Sequence, residues 1–131
     1  MKNKQNLHIH TTYADGKDSP EEIIVEAIKK GFDSIGFSEH TYMEFSSYPY
    51  QMKVEETEIY KNEILALKEK YREKIDIFCG LEYEMYSSVP ATGFDYLIGS
   101  VHYLELNGKM QGFDRGLEET LDYVKNNFGG N

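Results

Sequence analysis

The chain has 131 residues, enough for one domain with a modest core, and its 40% hydrophobic and 28% charged residues are an ordinary globular balance. The formal net charge of -9 argues against nonspecific binding to nucleic acid or to anionic membranes, which need basic surface. No stretch is long and apolar enough to span a membrane, and MKNKQN runs into the first strand without the apolar segment of a signal peptide. The one cysteine, Cys79, cannot form an internal disulfide. Among Ile77, Phe78 and Leu81 it reads as a buried structural thiol, with the cytoplasm as the natural compartment.

In chain order, Asn6 to His10 reads as a short strand that starts a residue or two earlier, and the loop TTYADGKD follows. Ser19-Pro20-Glu21-Glu22 then starts a helix: serine caps, proline takes the first helical position and Glu22 completes a capping box. Ile24, Ala27 and Ile28 keep helical spacing until Gly31. Asp33 to Ser38 is the second strand, and Glu39 to Met52 a tyrosine-rich loop. A helix over about Val54 to Lys74 carries the stripe Tyr60, Ile64, Leu67 and Tyr71. Ile75 to Leu81 is a near-continuous apolar run, as in a buried parallel strand, and Phe94 to Val101 is the fourth strand. Leu117, Leu121, Val124 and Phe128 repeat the helical stripe up to Gly129-Gly130.

Strands alternating with helices predict an α/β fold with a parallel sheet and right-handed crossovers. Four such units are half a barrel, which leaves the first and fourth strands unpaired and apolar helix faces uncovered. Self-association through those edges is the expected consequence.

The four histidines, His8, His10, His40 and His102, each fall at or just past the C-terminal end of a predicted strand, and Glu82 takes the same place on the third. That rim is where α/β barrels collect their active sites. His8 and His10, two apart on a strand, face the same way and can share one metal ion or bind two neighbouring ones. Two solvent-facing histidines are an equally good reading of HxH alone; Asp15 and three further rim ligands favour metal. Asp15 by itself could be a turn residue of its Asp-Gly pair. His40 ends GFSE; its neighbour Glu39 points the other way and is a candidate to hold the second nitrogen of a metal-bound imidazole. Glu82 can bridge two cations about 3.5–4 Å apart. Glu84 shares its face but reads as a solvated loop residue. Ile98, Ser100 and His102 share one face of the fourth strand. Histidine and carboxylate without thiolate suit zinc, manganese or iron, and an open site of this kind would orient a metal-activated hydroxide for in-line attack on phosphorus.

The segments LHIHTTYADG, GFSEHT, GLEYE and FDYLIGSVHYLE, in that order, resemble the PHP (polymerase and histidinol phosphatase) superfamily, and their form is most similar to the monofunctional histidinol-phosphate phosphatases. The resemblance covers essentially the whole chain, residues 1–131, as the N-terminal portion of a single PHP domain, about the first four βα units of a distorted (β/α)7 TIM-like barrel. It implies hydrolysis of L-histidinol phosphate to L-histidinol and phosphate, in histidine biosynthesis, with two to three divalent transition metal ions in the complete site. By that resemblance His8 and His10 hold one ion, Glu82 bridges to a second held by His102, and Asp15 and His40 hold the third. Glu82 and His102 are the expected catalytic residues. The family's remaining ligands, a further histidine and an Asp-x-His pair, lie in a second half that this sequence does not contain, so a truncated chain is expected, with activity of its own in question. No histidine follows His102, Asp114 and Asp122 stand in the wrong context, and Arg115 is a poor substitute for the family's phosphate-gripping residues. Other PHP-type phosphoesterases, acting on nucleotides, nucleic acid or phosphotyrosine, share the same half-site, as would an inactive metal-binding fragment. The expected partner is a small phosphomonoester, with no nucleic acid and no membrane. The tyrosines between Tyr42 and Met52 could stack on an imidazole ring or simply pack.

Overall fold

The computed structural model describes residues 3–46, 51–112 and 116–129. Two compact units divide the chain, Met1–Gly99 and Ser100–Asn131.

The first unit begins with β1 (Gln5–Asn6), α1 (Pro20–Lys29), β2 (Ser34–His40), a 3-10 turn at Val54–Glu56, α2 (Thr57–Tyr71) and β3 (Asp76–Glu84). β4 (Tyr96–Ser100) closes a four-stranded sheet of order β1-β2-β3-β4, in which β1–β2 and β2–β3 pair in parallel. β1 and β4 are therefore the outer strands of this sheet among the described residues, as expected for half a barrel. The Ser19 capping box forms as read: the Ser19 side chain accepts from the Glu22 amide while the Glu22 carboxylate accepts from the Ser19 amide. The core lies between sheet and helices. Ile24 and Ala27 of α1, and Tyr60, Ile64 and Leu67 of α2, are buried with Ile35, Phe37, Ile77, Cys79 and Leu81 of the central strands. Cys79 is buried as read, and that burial pushes its thiol up to about 12.

Two strands of this unit differ from the sequence reading. The first strand pairs over two residues only, Gln5 with Ser34 and Asn6 with Ile35. Beyond them the Leu7 carbonyl accepts instead from the Tyr96 hydroxyl at 2.7 Å, and the Ile9 carbonyl from the Ser38 amide at 2.9 Å. A side chain thus replaces one ladder bond, and His8 and His10 lie just past the paired strand. The Tyr96 ring needs room: a Cβ on Gly80 would meet its Cζ at 2.4 Å, and one on Gly36 its hydroxyl at 2.5 Å. The third strand continues past Leu81 to Glu84, because the register with β2 runs on to the pair His40 and Glu82. No helix occupies 85–95 between β3 and β4.

The second unit holds β5 (Tyr103–Leu106), β6 (Lys109–Gly112) and α3 (Leu117–Phe128). β5 and β6 form an antiparallel hairpin that the sequence reading missed. Its two-residue turn, Asn107-Gly108, has φ of 53° and 72°, the positive values that Asn-Gly supplies at little cost. α3 forms where the stripe predicted it, with Leu117, Leu121 and Phe128 exposed. Asp122 sits within α3, and Asp114 and Arg115 lie outside the described residues. No helix among the described residues is long and apolar enough to cross a membrane.

Candidate metal centre

Parallel pairing puts the C-terminal ends of β1, β2 and β3 side by side, and five predicted ligands of the first unit meet there. Glu82 is the hub. Its Oε2 lies 2.9 Å from His8 Nε2, 3.2 Å from His10 Nε2 and 3.4 Å from His40 Nδ1. Asp15 reaches the same group from the loop: Oδ1 is 3.2 Å from His10 Nδ1 and Oδ2 is 3.7 Å from His40 Nε2. The rings of His8 and His10 are 5.1 Å apart, those of His10 and His40 4.4 Å, both tilted. Two ligand sets result within this unit, His8-His10-Glu82 and His10-Asp15-His40, each with its donor atoms within 4.8 Å of one another. The period-two argument for His8 and His10 thus holds although the ladder ends before them.

The donors fit a cation. His10 Nδ1 is buried and makes no hydrogen bond, although a carboxylate oxygen lies 3.2 Å away. A ring nitrogen and a carboxylate oxygen that converge without hydrogen-bond geometry between them are an arrangement that a shared ion accounts for. Glu82 is only 5% exposed, and a buried carboxylate of this kind needs paired positive charge. Nitrogen and oxygen donors without thiolate suit a borderline divalent ion such as zinc, manganese or iron.

His102, the sixth predicted ligand, belongs to the second unit. It follows β4 by two residues, and its Nδ1 lies 3.0 Å from Ser100 Oγ.

Two acidic residues have different places from those read in the sequence. Glu84, taken as a solvated loop residue, is 2% exposed on β3, and its Oε1 lies 3.5 Å from His40 Nδ1. The period of two that links it to Glu82 was the available signal; ending the strand at Leu81 hid it. Glu39, considered as a partner for an imidazole nitrogen, turns to the backbone instead. Its two carboxylate oxygens accept from the Thr11 amide at 2.9 and 3.2 Å. Burial raises the Glu39 carboxyl above the usual range, and the hydrogen bonds from Thr11 oppose that rise.

Thr11 had no signal in the sequence beyond its position after HxH, yet it organises the loop that carries Asp15. Fully buried, its carbonyl accepts from the Ala14 and Gly16 amides at 3.0 and 2.9 Å, and its hydroxyl from the Tyr13 amide at 3.2 Å. Gly16 is pressed so closely on the preceding backbone that a Cβ would fall 2.4 Å from the His10 carbonyl oxygen. Tyr13 is tied to α2 by its hydroxyl, which donates to Glu63 Oε2 at 2.5 Å. His40 is fixed by its own backbone: the Met52 amide donates to its carbonyl, and the next residue's amide to the Glu82 carbonyl. Of the tyrosine-rich loop, residues 47–50 lie outside the described residues. The Gln51 side chain accepts from the Met43 amide and donates to its carbonyl.

Comparison with known proteins follows this geometry. Residues 6–129 match the family model described as the PHP domain. The chain is 30% identical over 131 residues to a histidinol-phosphatase of Lactococcus lactis subsp. lactis, covering 93% of this chain and 46% of that protein. A crystal structure of a putative histidinol phosphatase from Listeria monocytogenes superposes with a TM-score of 0.69 at 21% identity, over 89% of this chain and 52% of that one. A crystal structure of histidinol phosphate phosphatase from Lactococcus lactis, complexed with zinc, L-histidinol and phosphate, superposes with a TM-score of 0.67 at 26% identity, over 96% of this chain and 54% of that one. The chain thus spans about half the length of these proteins.

Proposed function

This chain belongs to the PHP domain family, and from that premise we propose that it carries the metal-binding half of a phosphomonoesterase site that acts on L-histidinol phosphate, releasing L-histidinol and phosphate. The observation that carries the reading is Glu82 Oε2, approached within 3.4 Å by the three imidazoles His8, His10 and His40, with Asp15 closing the far side. The similar Lactococcus enzyme, whose structure is a complex with zinc, L-histidinol and phosphate, supports both the metal and the substrate class. His8, His10 and Glu82 would hold one divalent ion and His10 or His40 with Asp15 a second; His102 is the proposed further ligand. Such ions supply Lewis-acid polarisation of phosphoryl oxygens and acidify a water at neutral pH.

The chain's own residues do the positioning. β2 and β3 hold His40 and Glu82 opposite each other in register, so neither ligand depends on a loop for its place. Buried Glu84 lies beside His40 Nδ1, where its carboxylate favours the orientation that turns Nε2 towards Asp15. The excess of acidic residues disfavours a nucleic-acid substrate and is compatible with a small phosphomonoester. A reduced, unpaired Cys79 suits the cytoplasm.

A second reading has one observation behind it, the coverage of about half of each matched protein. In that reading the chain binds metal and turns over substrate only with residues that this sequence lacks.

The test is elemental analysis of the purified protein alongside phosphate release from L-histidinol phosphate, repeated on the His8→Ala, His10→Ala double variant. Bound transition metal that is lost in the double variant is the expected result. Metal with phosphate release supports the full phosphatase reading, and metal without it the second. A protein that takes up no zinc or manganese at saturating concentration overturns the metal-centre reading.

A further inference from the structure

The 11–16 loop places Asp15, and its anchor is a carboxylate on the neighbouring strand. Glu39 is fully buried on β2, and both of its oxygens lie within hydrogen-bond distance of one backbone amide, that of Thr11. The relay continues from there. The Thr11 carbonyl holds the Ala14 and Gly16 amides, which flank Asp15 on either side, and the Asp15 carboxylate then reaches His10 Nδ1 and His40 Nε2. Gly16 seats the far end of the loop against the His10 backbone, with no room for a side chain. A buried carboxyl group that merely filled core would cost stability, since a buried polar group is costly unless it is hydrogen-bonded. Two oxygens facing one buried amide satisfy that donor and fix its position, and a carboxamide oxygen can accept the same bond.

We propose that Glu39 is a positioning residue: through the Thr11 amide it holds the 11–16 loop so that Asp15 completes the ligand set with His10 and His40. This inference rests on the metal-centre reading, and it assigns to the residue before His40 a task distinct from ligation. Glu39 acts through Asp15. It follows that removing Glu39 and removing Asp15 disable the same ion, and that a side chain which keeps an acceptor without the charge preserves most of the effect.

The experiment is calorimetric titration of metal-free protein with zinc and with manganese, for wild type, Glu39→Ala, Glu39→Gln, Asp15→Ala and the Glu39→Ala, Asp15→Ala double variant. Amide hydrogen exchange at Ala14 and Gly16 is measured on the same metal-free samples. Glu39→Ala is expected to weaken binding of the Asp15-dependent ion by about 10- to 100-fold, the usual cost of losing a residue that orients a ligand. Glu39→Gln should retain most of the affinity, and Glu39→Ala should add nothing in the Asp15→Ala background. Faster exchange at Gly16 in Glu39→Ala would show the loop released. Wild-type affinity in a folded Glu39→Ala protein, or a loss that adds fully to that of Asp15→Ala, overturns the proposal. If wild type itself binds neither metal, the metal-centre reading fails, while exchange at Gly16 still decides whether Glu39 holds the loop: unchanged protection in Glu39→Ala overturns that too. Should Glu39→Ala not fold, Glu39→Asp withdraws the carboxyl group from the Thr11 amide by one methylene. It must show the same selective loss, and wild-type affinity in that variant refutes the positioning role.

Discussion

The two units of the chain spend their apolar residues differently. In the unit Met1–Gly99, Ile24, Phe37, Tyr60, Ile64 and Leu81 are fully excluded from water, and the strands that enclose them carry His40 and Glu82 at their ends. Among the described residues of the unit Ser100–Asn131, none is buried, and Leu117 on α3 is 74% exposed. All three helices with apolar spacing form, but only α1 and α2 bury residues of theirs in the core. Amphipathic periodicity therefore specifies a helix and its sticky face, while burial depends on what the rest of the fold brings against it.

That contrast can be broken by substitution, starting where the effect is largest. Ile64→Ala in α2 should cost about 2–5 kcal/mol in denaturant unfolding, the range for a fully buried large-to-small change. A value near zero would mean that α2 is no better packed than α3. Gly80→Ala should cost about 1–3 kcal/mol by overpacking against Tyr96, whose ring would have to leave the Leu7 and Phe37 carbonyls. A stability equal to wild type would show that the ring moves freely. A smaller effect concerns Glu21, which accepts from Lys70 Nζ and the Tyr71 hydroxyl and so links α1 to α2. Those hydrogen bonds, Lys70 first, hold its carboxyl below the usual range. Because the folded value is the lower one, the stabilisation is present above the ordinary carboxylate range and is lost as pH falls through the lowered value. Glu21→Gln should be slightly less stable than wild type at neutral pH, with the gap closing in acid; a gap that widens in acid would reverse the sign. Last, Leu121→Ala on α3 should change stability by no more than about 0.5 kcal/mol, as expected for an exposed site. A cost comparable to that of Ile64→Ala would mean that the α3 stripe is covered in solution.

Much of the candidate site was legible in the sequence because its signals are local. Two histidines a strand step apart, a histidine and a glutamate each ending an apolar run, and an Asp-Gly loop after HxH all follow from periodicity. What failed was partly local and partly long-range in origin. The β5–β6 hairpin was missed although Asn107-Gly108 is a strong turn signal, because a βα alternation leaves no place for it. Glu84 was assigned to solvent because a strand end was placed too early, at Leu81. Glu39 was given the wrong partner because the nearest acceptor need, the Thr11 amide, lies 28 residues away in sequence.

By itself, then, the sequence determined the helices, the Ser19 cap, most of the strands and which side chains share a face, since each depends on neighbours within a few positions. Only the tertiary structure decided that Glu82, 74 residues from His8, carries the oxygen on which three imidazoles converge, and that a buried carboxylate holds the Asp15 loop. Those are relations between strands set by parallel register, and register is a property of the assembled sheet.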